Sequence, residues 1–233
     1  VEQGLLTQAE ADAIIPLIGL PNEDVMHLLT PYDRALSAGI ITQKQLVPMR
    51  QEITRQIHSP TAKCSGTAAH IYSETVSVTD CTLSTGQRNE NVVKSIPGGN
   101  AALERVQIEK CGDTRNHIEG NFTGLNAAVL AEGGEISIAD SQIISHAIGG
   151  NNVFAHGAGS HITLNNVLLD AYGAASNRCI YVSFGGQVDA DHCEMTSRGS
   201  ISSPVATDVG GGTIRLKNCV VKALGNHCAA LYS

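Results

Sequence analysis

Asp189 and Asp191 are followed, each after 26 residues, by Arg215 and Lys217. Carboxylates facing bases at a fixed interval fit two chemistries. They could hold calcium beside an Arg or Lys general base, as in glycan-active enzymes, or they could neutralise one another on a solvated surface. His161, close to one interval earlier, joins this set. Asp189, Asp191, Arg215, Lys217 and His161 are therefore the candidate binding face. His192, between Asp191 and Cys193, is a weaker metal candidate, because the side chains of its immediate neighbours on a strand point away from it. A nucleophilic Cys193 needs a basic partner on its own side, and His192 faces the other way. No Ser/His/Asp order, phosphate loop or zinc spacing stands out elsewhere, so neither a metal nor a cofactor is expected.

The interval of 26 belongs to a repeat. Ile136-Ser-Ile138-Ala-Asp140-Ser141, Ile162-Thr-Leu164-Asn-Asn166-Val167, Val188-Asp-Ala190-Asp-His192-Cys193 and Ile214-Arg-Leu216-Lys-Asn218-Cys219 follow one another at that spacing. Val76 to Cys81 and Val106 to Cys111 align as two earlier copies at spacings of 30. Apolar residues at the first, third and eighth positions alternate with polar ones, which is strand periodicity. A second short strand follows in Asn152-Val-Phe-Ala155 and Arg178-Cys-Ile-Tyr-Val182. A unit this small cannot cover its own apolar face, but stacked copies bury a continuous core. The expected fold is mainly β, a right-handed parallel β-helix of about six coils about 4.8 Å apart.

Stacking makes each column a testable unit. The fifth column, Asp80, Lys110, Asp140, Asn166, His192 and Asn218, reads as a polar ladder bonding side chains to the backbone of the turns. The sixth reads Cys81, Cys111, Ser141, Val167, Cys193 and Cys219. Thiols one coil apart lie slightly beyond disulfide reach, so these cysteines are expected to be buried free thiols, consistent with a reducing compartment. The repeats resemble the pectate-lyase-like superfamily and autotransporter passengers, where Gly-x-Ile-x-Leu-x-Asn-x-x-Ile units recur. That resemblance covers residues 70 to 233 and implies a fold, not an activity.

Residues 1–60 read as a helical cap or repeat, and 61–233 as the β-helix. Thr7 with Glu10 and Thr42 with Gln45 are capping boxes that start helices near Gln8 to Leu17 and Gln43 to Ile57, the second carrying Pro48 as a kink. Pro21 and Pro31 mark shorter elements between them. Gly4-Leu-Leu-Thr-Gln8 recurs as Gly39-Ile-Ile-Thr-Gln43, a degenerate repeat of 35. The stretch from Leu28 to Gln45 resembles short repeats in proteins of bacteria that live inside eukaryotic cells. This implies a secreted bacterial effector acting in host cytosol. The chain begins at Val1 and stops at Ser233 inside a strand-like run, as a fragment of a longer protein would.

Composition narrows the function classes. A net charge of −7 and the lack of a basic run exclude a phosphate-backbone partner. No apolar stretch is long enough to span a bilayer. Arg215-Leu-Lys217 resembles the Arg-Ile-Lys element of polygalacturonases, and Ala155-His156-Gly157 their Gly-His-Gly. The family's paired aspartates and Asn-Thr-Asp element have no counterpart upstream of His156, so two-carboxylate hydrolysis has no residues to carry it. A calcium-dependent lyase would have only Asp189, Asp191 and Asp170 to draw on. Trp, a common sugar platform, is absent. The leading expectation is a non-enzymatic interaction module binding a protein or glycan through a β-helix face. The alternative is a polysaccharide lyase, hydrolase or epimerase working in a lateral groove, which predicts a concave, uncompensated carboxylate cluster where a scaffold predicts neutralised pairs. Self-association through the coil ending in Ala229-Ala-Leu-Tyr-Ser233 is a third expectation.

Overall fold

The computed structural model describes residues 6–14, 35–57, 62–114, 117–207 and 209–233. It divides into two compact units, Val1–Ser59 and Pro60–Ser233. In the first, helix α1 (Gln8–Ile14) opens on Thr7, whose backbone N–H donates to Glu10 Oε2 at 2.7 Å while the Glu10 N–H donates to Thr7 Oγ1 at 3.2 Å. Helix α2 (Gln43–Ile57) opens on Thr42, whose N–H donates to Gln45 Oε1 at 2.9 Å, and it runs through Pro48. Gln45 Nε2 donates to Glu10 Oε1 at 2.9 Å, so the two capping boxes, 35 residues apart, are joined through their acceptors. Ile14, Ala35, Ile41, Leu46 and Met49 form the small core of this unit. The elements expected around Pro21 and Pro31, and the end of the first helix at Leu17, fall outside the described residues.

The second unit is a parallel β-solenoid of about six turns, its strands numbered in chain order. One seven-stranded sheet stacks β1 (Thr67–Tyr72), β4 (Glu90–Ser95), β7 (Val129–Glu132), β9 (Val153–His156), β11 (Ile180–Ser183), β14 (Val205–Thr207) and β17 (Leu231–Tyr232). The other sheet is bent, so that each coil crosses it in two parts. Its first half stacks β2 (Thr75–Thr79), β5 (Asn100–Glu104), the start of β8 (Glu135–Ser145), the start of β10 (His161–Ala171), β12 (Gly186–Asp191) and β15 (Gly212–Lys217). Its second half stacks β3 (Thr82–Thr85), β6 (Gln107–Lys110), the ends of β8 and β10, β13 (Glu194–Ser197) and β16 (Val220–Ala223). Ile136, Ile162 and Val188 are in register and buried, as are Ile138, Leu164 and Ala190, so the inward columns make one continuous apolar core.

The bend lies at the fifth column. Asp80, Arg105, Asp140, Asn166, His192 and Asn218 all have φ between 49° and 54°. Asn, Asp and His tolerate this left-handed conformation better than other side-chain-bearing residues, which accounts for five of the six. Each coil turns here without leaving the sheet: the N–H of Asp80 still donates to Glu104 O at 3.1 Å, and that of His192 to Lys217 O at 3.1 Å. A second column of the same kind, Gly149, Ala175, Ile201 and His227, turns the chain between the two sheets with φ from 52° to 65°. Just before it, Gly173, Gly199 and Gly225 stack so closely that a Cβ on Gly199 would lie 1.9 Å from Gly173 O.

The second coil corrects the expected register. Ala101 stands between Val76 and Ile136, giving intervals of 25 and 35 where two of 30 were expected. The additional residues are concentrated in one insertion, between β6 and β7, which carries helix α3 (His117–Thr123). The run from Val106, also alternating, forms β6 on the next face. Lys110 thus leaves the fifth column to Arg105, and Cys111 leaves the sixth to Val106. Lys110 is fully buried: its Nζ donates to Gln87 O at 2.8 Å, Gly112 O at 2.9 Å and Cys111 O, and burial pushes its pKa down to about 8.

Candidate functional site

The candidate face is the outward side of β10, β12 and β15. Because strands place alternate residues on one face, His161 neighbours Gln187, Thr163 neighbours Asp189 and then Arg215, and Asn165 neighbours Asp191 and then Lys217. All five sequence-derived residues are brought together. Arg215 Nη1 donates to Asp189 Oδ1 at 3.1 Å, and Lys217 Nζ to Asp191 Oδ2 at 3.1 Å. His161 Nε2 lies 2.7 Å from Asp189 Oδ2, which Gln187 Nε2 also approaches at 2.5 Å. Asn218 Nδ2 and His192 Nδ1 close on Asp191 Oδ1 at 3.0 and 2.9 Å.

These contacts determine the charge state of the face. Burial disfavours ionisation of Asp189, but hydrogen bonds from Gln187, Arg215 and His161 outweigh it and hold the carboxyl below the usual carboxylate range. Lys217 and then Asn218 do the same for Asp191 against partial burial. The acid side chains are 29% and 30% exposed against 64% and 74% for Arg215 and Lys217, which stand beside them on β15 at the end of the sheet. Both carboxylates are ionised, paired and partly covered. Neither is free to take a proton from a substrate or to coordinate calcium without first losing a partner.

The third carboxylate a lyase would need points elsewhere. Asp170 lies beyond the bend, gripped by Arg198 through Nε at 2.9 Å and Nη2 at 3.1 Å. The Arg198 guanidinium caps the Tyr172 ring at 4.9 Å, and His146 stacks on that ring's other face at 4.8 Å. Among the described residues, no three His, Cys, Asp or Glu side chains converge to hold a metal ion. His156 is 3% exposed, with Nδ1 2.8 Å from Ser183 Oγ and Nε2 2.7 Å from Ala62 O, and burial holds its pKa below the usual histidine range. It ties the 62–66 segment to the outer side of the seven-stranded sheet and is closed to substrate. Burial, reinforced by neighbouring Cys219, pushes the Cys193 thiol up to about 11, which leaves it protonated.

The bend itself makes a surface feature that sequence reasoning did not single out. An open groove of about 790 Å³ runs along the solenoid axis beside the left-handed column, with Arg105, Asp140, Gln142, Asn166, His192 and Glu194 among its lining residues. Arg105 clasps Asp80 through Nε at 2.7 Å, and Asn166 Nδ2 donates to Asp140 Oδ1 at 2.7 Å. These side chains are exposed and bond mainly to one another, so the fifth column is not the expected ladder onto backbone. No family model, curated protein or solved structure matches the chain. The solenoid is thus defined by its own register and burial.

Side-chain bonds onto backbone are made instead by buried asparagines that enter the seven-stranded sheet, each in its own register column. Asn91 Nδ2 donates to Gly124 O at 3.0 Å and Ala127 O at 2.8 Å, Asn152 to Ile143 O at 2.6 Å, and Asn177 to Ser145 O at 3.1 Å and Ala147 O at 2.8 Å. All three are fully buried. Their signal in the sequence is an Asn one to three residues ahead of an apolar strand run, as in Asn152-Val-Phe and Asn177-Arg-Cys-Ile.

Proposed function

We propose that the β-solenoid is a non-catalytic binding module that engages a protein through its bent lateral sheet, with the Asp189, Asp191, Arg215, Lys217 and His161 face and the adjoining groove as the contact surface. The observation that carries this reading is the neutralisation of Asp189 and Asp191 by Arg215 and Lys217 across one coil step. An enzyme acting here would need at least one of those carboxylates unpaired and turned to a substrate. A face of interlocked charges and short polar side chains offers instead a stiff, patterned surface for electrostatic and shape complementarity. The resemblance of the Leu28 to Gln45 stretch to repeats in proteins of intracellular bacteria makes a host protein the partner to look for first.

The test pairs capture with an activity control. The purified chain is used to recover partners from eukaryotic lysate beside two face variants, Thr163→Arg and Lys217→Glu, while acidic glycans are incubated with the chain with and without calcium. A partner held by the native chain and lost by both variants at unchanged melting temperature supports the binding module. Calcium-dependent cleavage of a glycan, abolished by Asp189→Asn, would sink it in favour of a lyase.

A further inference from the structure

We propose that Cys193 and Cys219 form a two-coordinate site for a soft cation of linear geometry, Cu(I), held between two stacked coils. Asp191 pairs with Lys217 and Glu194 with Val220, so the two cysteines between these pairs are direct neighbours on adjacent coils. Their side chains share one contact. Cys193 Sγ donates to Asp191 O at 3.3 Å and Cys219 Sγ to Lys217 O at 3.2 Å, in each case the carbonyl two residues earlier. Cys219 Sγ also donates to Ala190 O of the Cys193 coil at 3.5 Å, and adjacent positions on parallel strands leave the sulfurs about one strand step apart, about 4.7–4.9 Å. That is far beyond a sulfur–sulfur bond of about 2.05 Å. It is close to the span of two metal–sulfur bonds of about 2.3 Å laid end to end.

Thiolate donors select Cu(I). An ion that demands three or four side-chain ligands has no site here, since no group of three such residues converges among those described. Loading is balanced without redox chemistry: one Cu(I) and two thiols give a bis-thiolate copper complex of charge −1 and two released protons. Cys193 is 1% exposed while Cys219 is half-buried, so the ion enters from the Cys219 side and the complex keeps partial contact with solvent. The thiols point into the corner of the core and take no part in the outward face, so this site stands or falls independently of the binding module.

The column also supplies its own controls. Val167 occupies the same position two coils before Cys219, and Val106 the same position in the second coil, so Cys193→Val and Cys219→Val keep a side chain that the corner already accommodates. The reduced full chain is equilibrated without oxygen with Cu(I) against the chelator bathocuproine disulfonate, and retained copper and its X-ray absorption spectrum are measured. The native chain should hold a copper with two sulfur neighbours at an affinity at least tenfold above that of either valine variant. Cys111→Ser should behave as the native chain. Circular dichroism confirms that each variant is folded. Copper held equally well by either valine variant, a first shell with more than two ligands, or complete loss of copper to the chelator from the native chain would overturn the site.

Discussion

Ile162 and Thr163 are neighbours in the chain with opposite fates: Ile162 is fully buried between Ile136 and Val188, while Thr163 is exposed. Ile162→Asp places a carboxylate where no partner can reach it, so cooperative unfolding in urea should be lost or weakened by several kcal/mol. Thr163→Asp should unfold within about 0.5 kcal/mol of the native chain. Equal effects would reverse the inward and outward assignment. Burial at single residues also sets the response to alkali. Lys110 titrates near 8 in the folded chain against an ordinary 10.5, so the unfolded state binds more protons between those values and stability rises with pH there. Cys64 and Cys193 are pushed by burial up to about 11 from 9, and Cys179 is raised further, so above pH 9 the folded state binds more protons and stability falls. Each thiol contributes a slope of about 1.4 kcal/mol per pH unit in that window. Urea melts from pH 7 to 11 should therefore show greatest stability near pH 9. Lys110→Met should remove the rise on the acid side of that maximum and leave the fall on the alkaline side.

At the scale of elements, the two left-handed columns decide where each coil turns: β8 and β10 run on through the first, and the second lies between strands. Ile201 sits in one of them at φ 54°, a conformation that costs an ordinary side chain about 1–2 kcal/mol and a β-branched one more. Ile201→Asn should stabilise the solenoid by about 1 kcal/mol, read as a rise in the urea midpoint at unchanged slope. An unchanged or lower midpoint would mean that contacts of the Ile201 side chain outweigh its backbone strain. The same columns explain which coils are legible in the sequence and which are not. Coils three to six are legible because Ile136, Ile162, Val188 and Ile214 recur at one interval with Asp, Asn or His four residues on. Coil two is not, because Ala101-Ala-Leu103 and Val106-Gln-Ile108 both alternate, and a left-handed Arg105 gives no sign of the bend. The pairing of Asp189 and Asp191 with Arg215 and Lys217 is legible for the same reason as the coils: a constant interval fixes which side chains are neighbours. The groove is not legible in the sequence: the Asp, Asn and His of the fifth column mark a left-handed turn, but the concavity comes from how the two halves of the sheet meet there. The buried Asn91, Asn152 and Asn177 escape notice because their spacing is irregular, and because a polar residue ahead of a strand usually marks a solvated turn.

At the scale of the whole solenoid, the strands of each coil pair only with those of the coil before and the coil after, while the 62–66 segment and α3 add bonds that reach past a neighbouring coil. Stability is then close to a sum of coil and interface contributions, and a defect in one coil should be felt mainly by its neighbours. Leu224 and Leu231 are exposed on the coil that carries β15, β16 and β17, and we propose their apolar side chains as a contact for self-association. Leu231→Lys should abolish any concentration-dependent dimer seen by analytical ultracentrifugation. An undiminished dimer would place the contact elsewhere. The ladder bonds run parallel to the solenoid axis, and this gives the molecule a directional mechanics. Tension applied along the axis loads one coil's bonds at a time, so the rod should unzip in steps. Each coil of 26 residues should release about 85 Å of chain. Tension applied across the axis loads many coils in parallel, and the same rod should resist it as a plank resists bending across its grain.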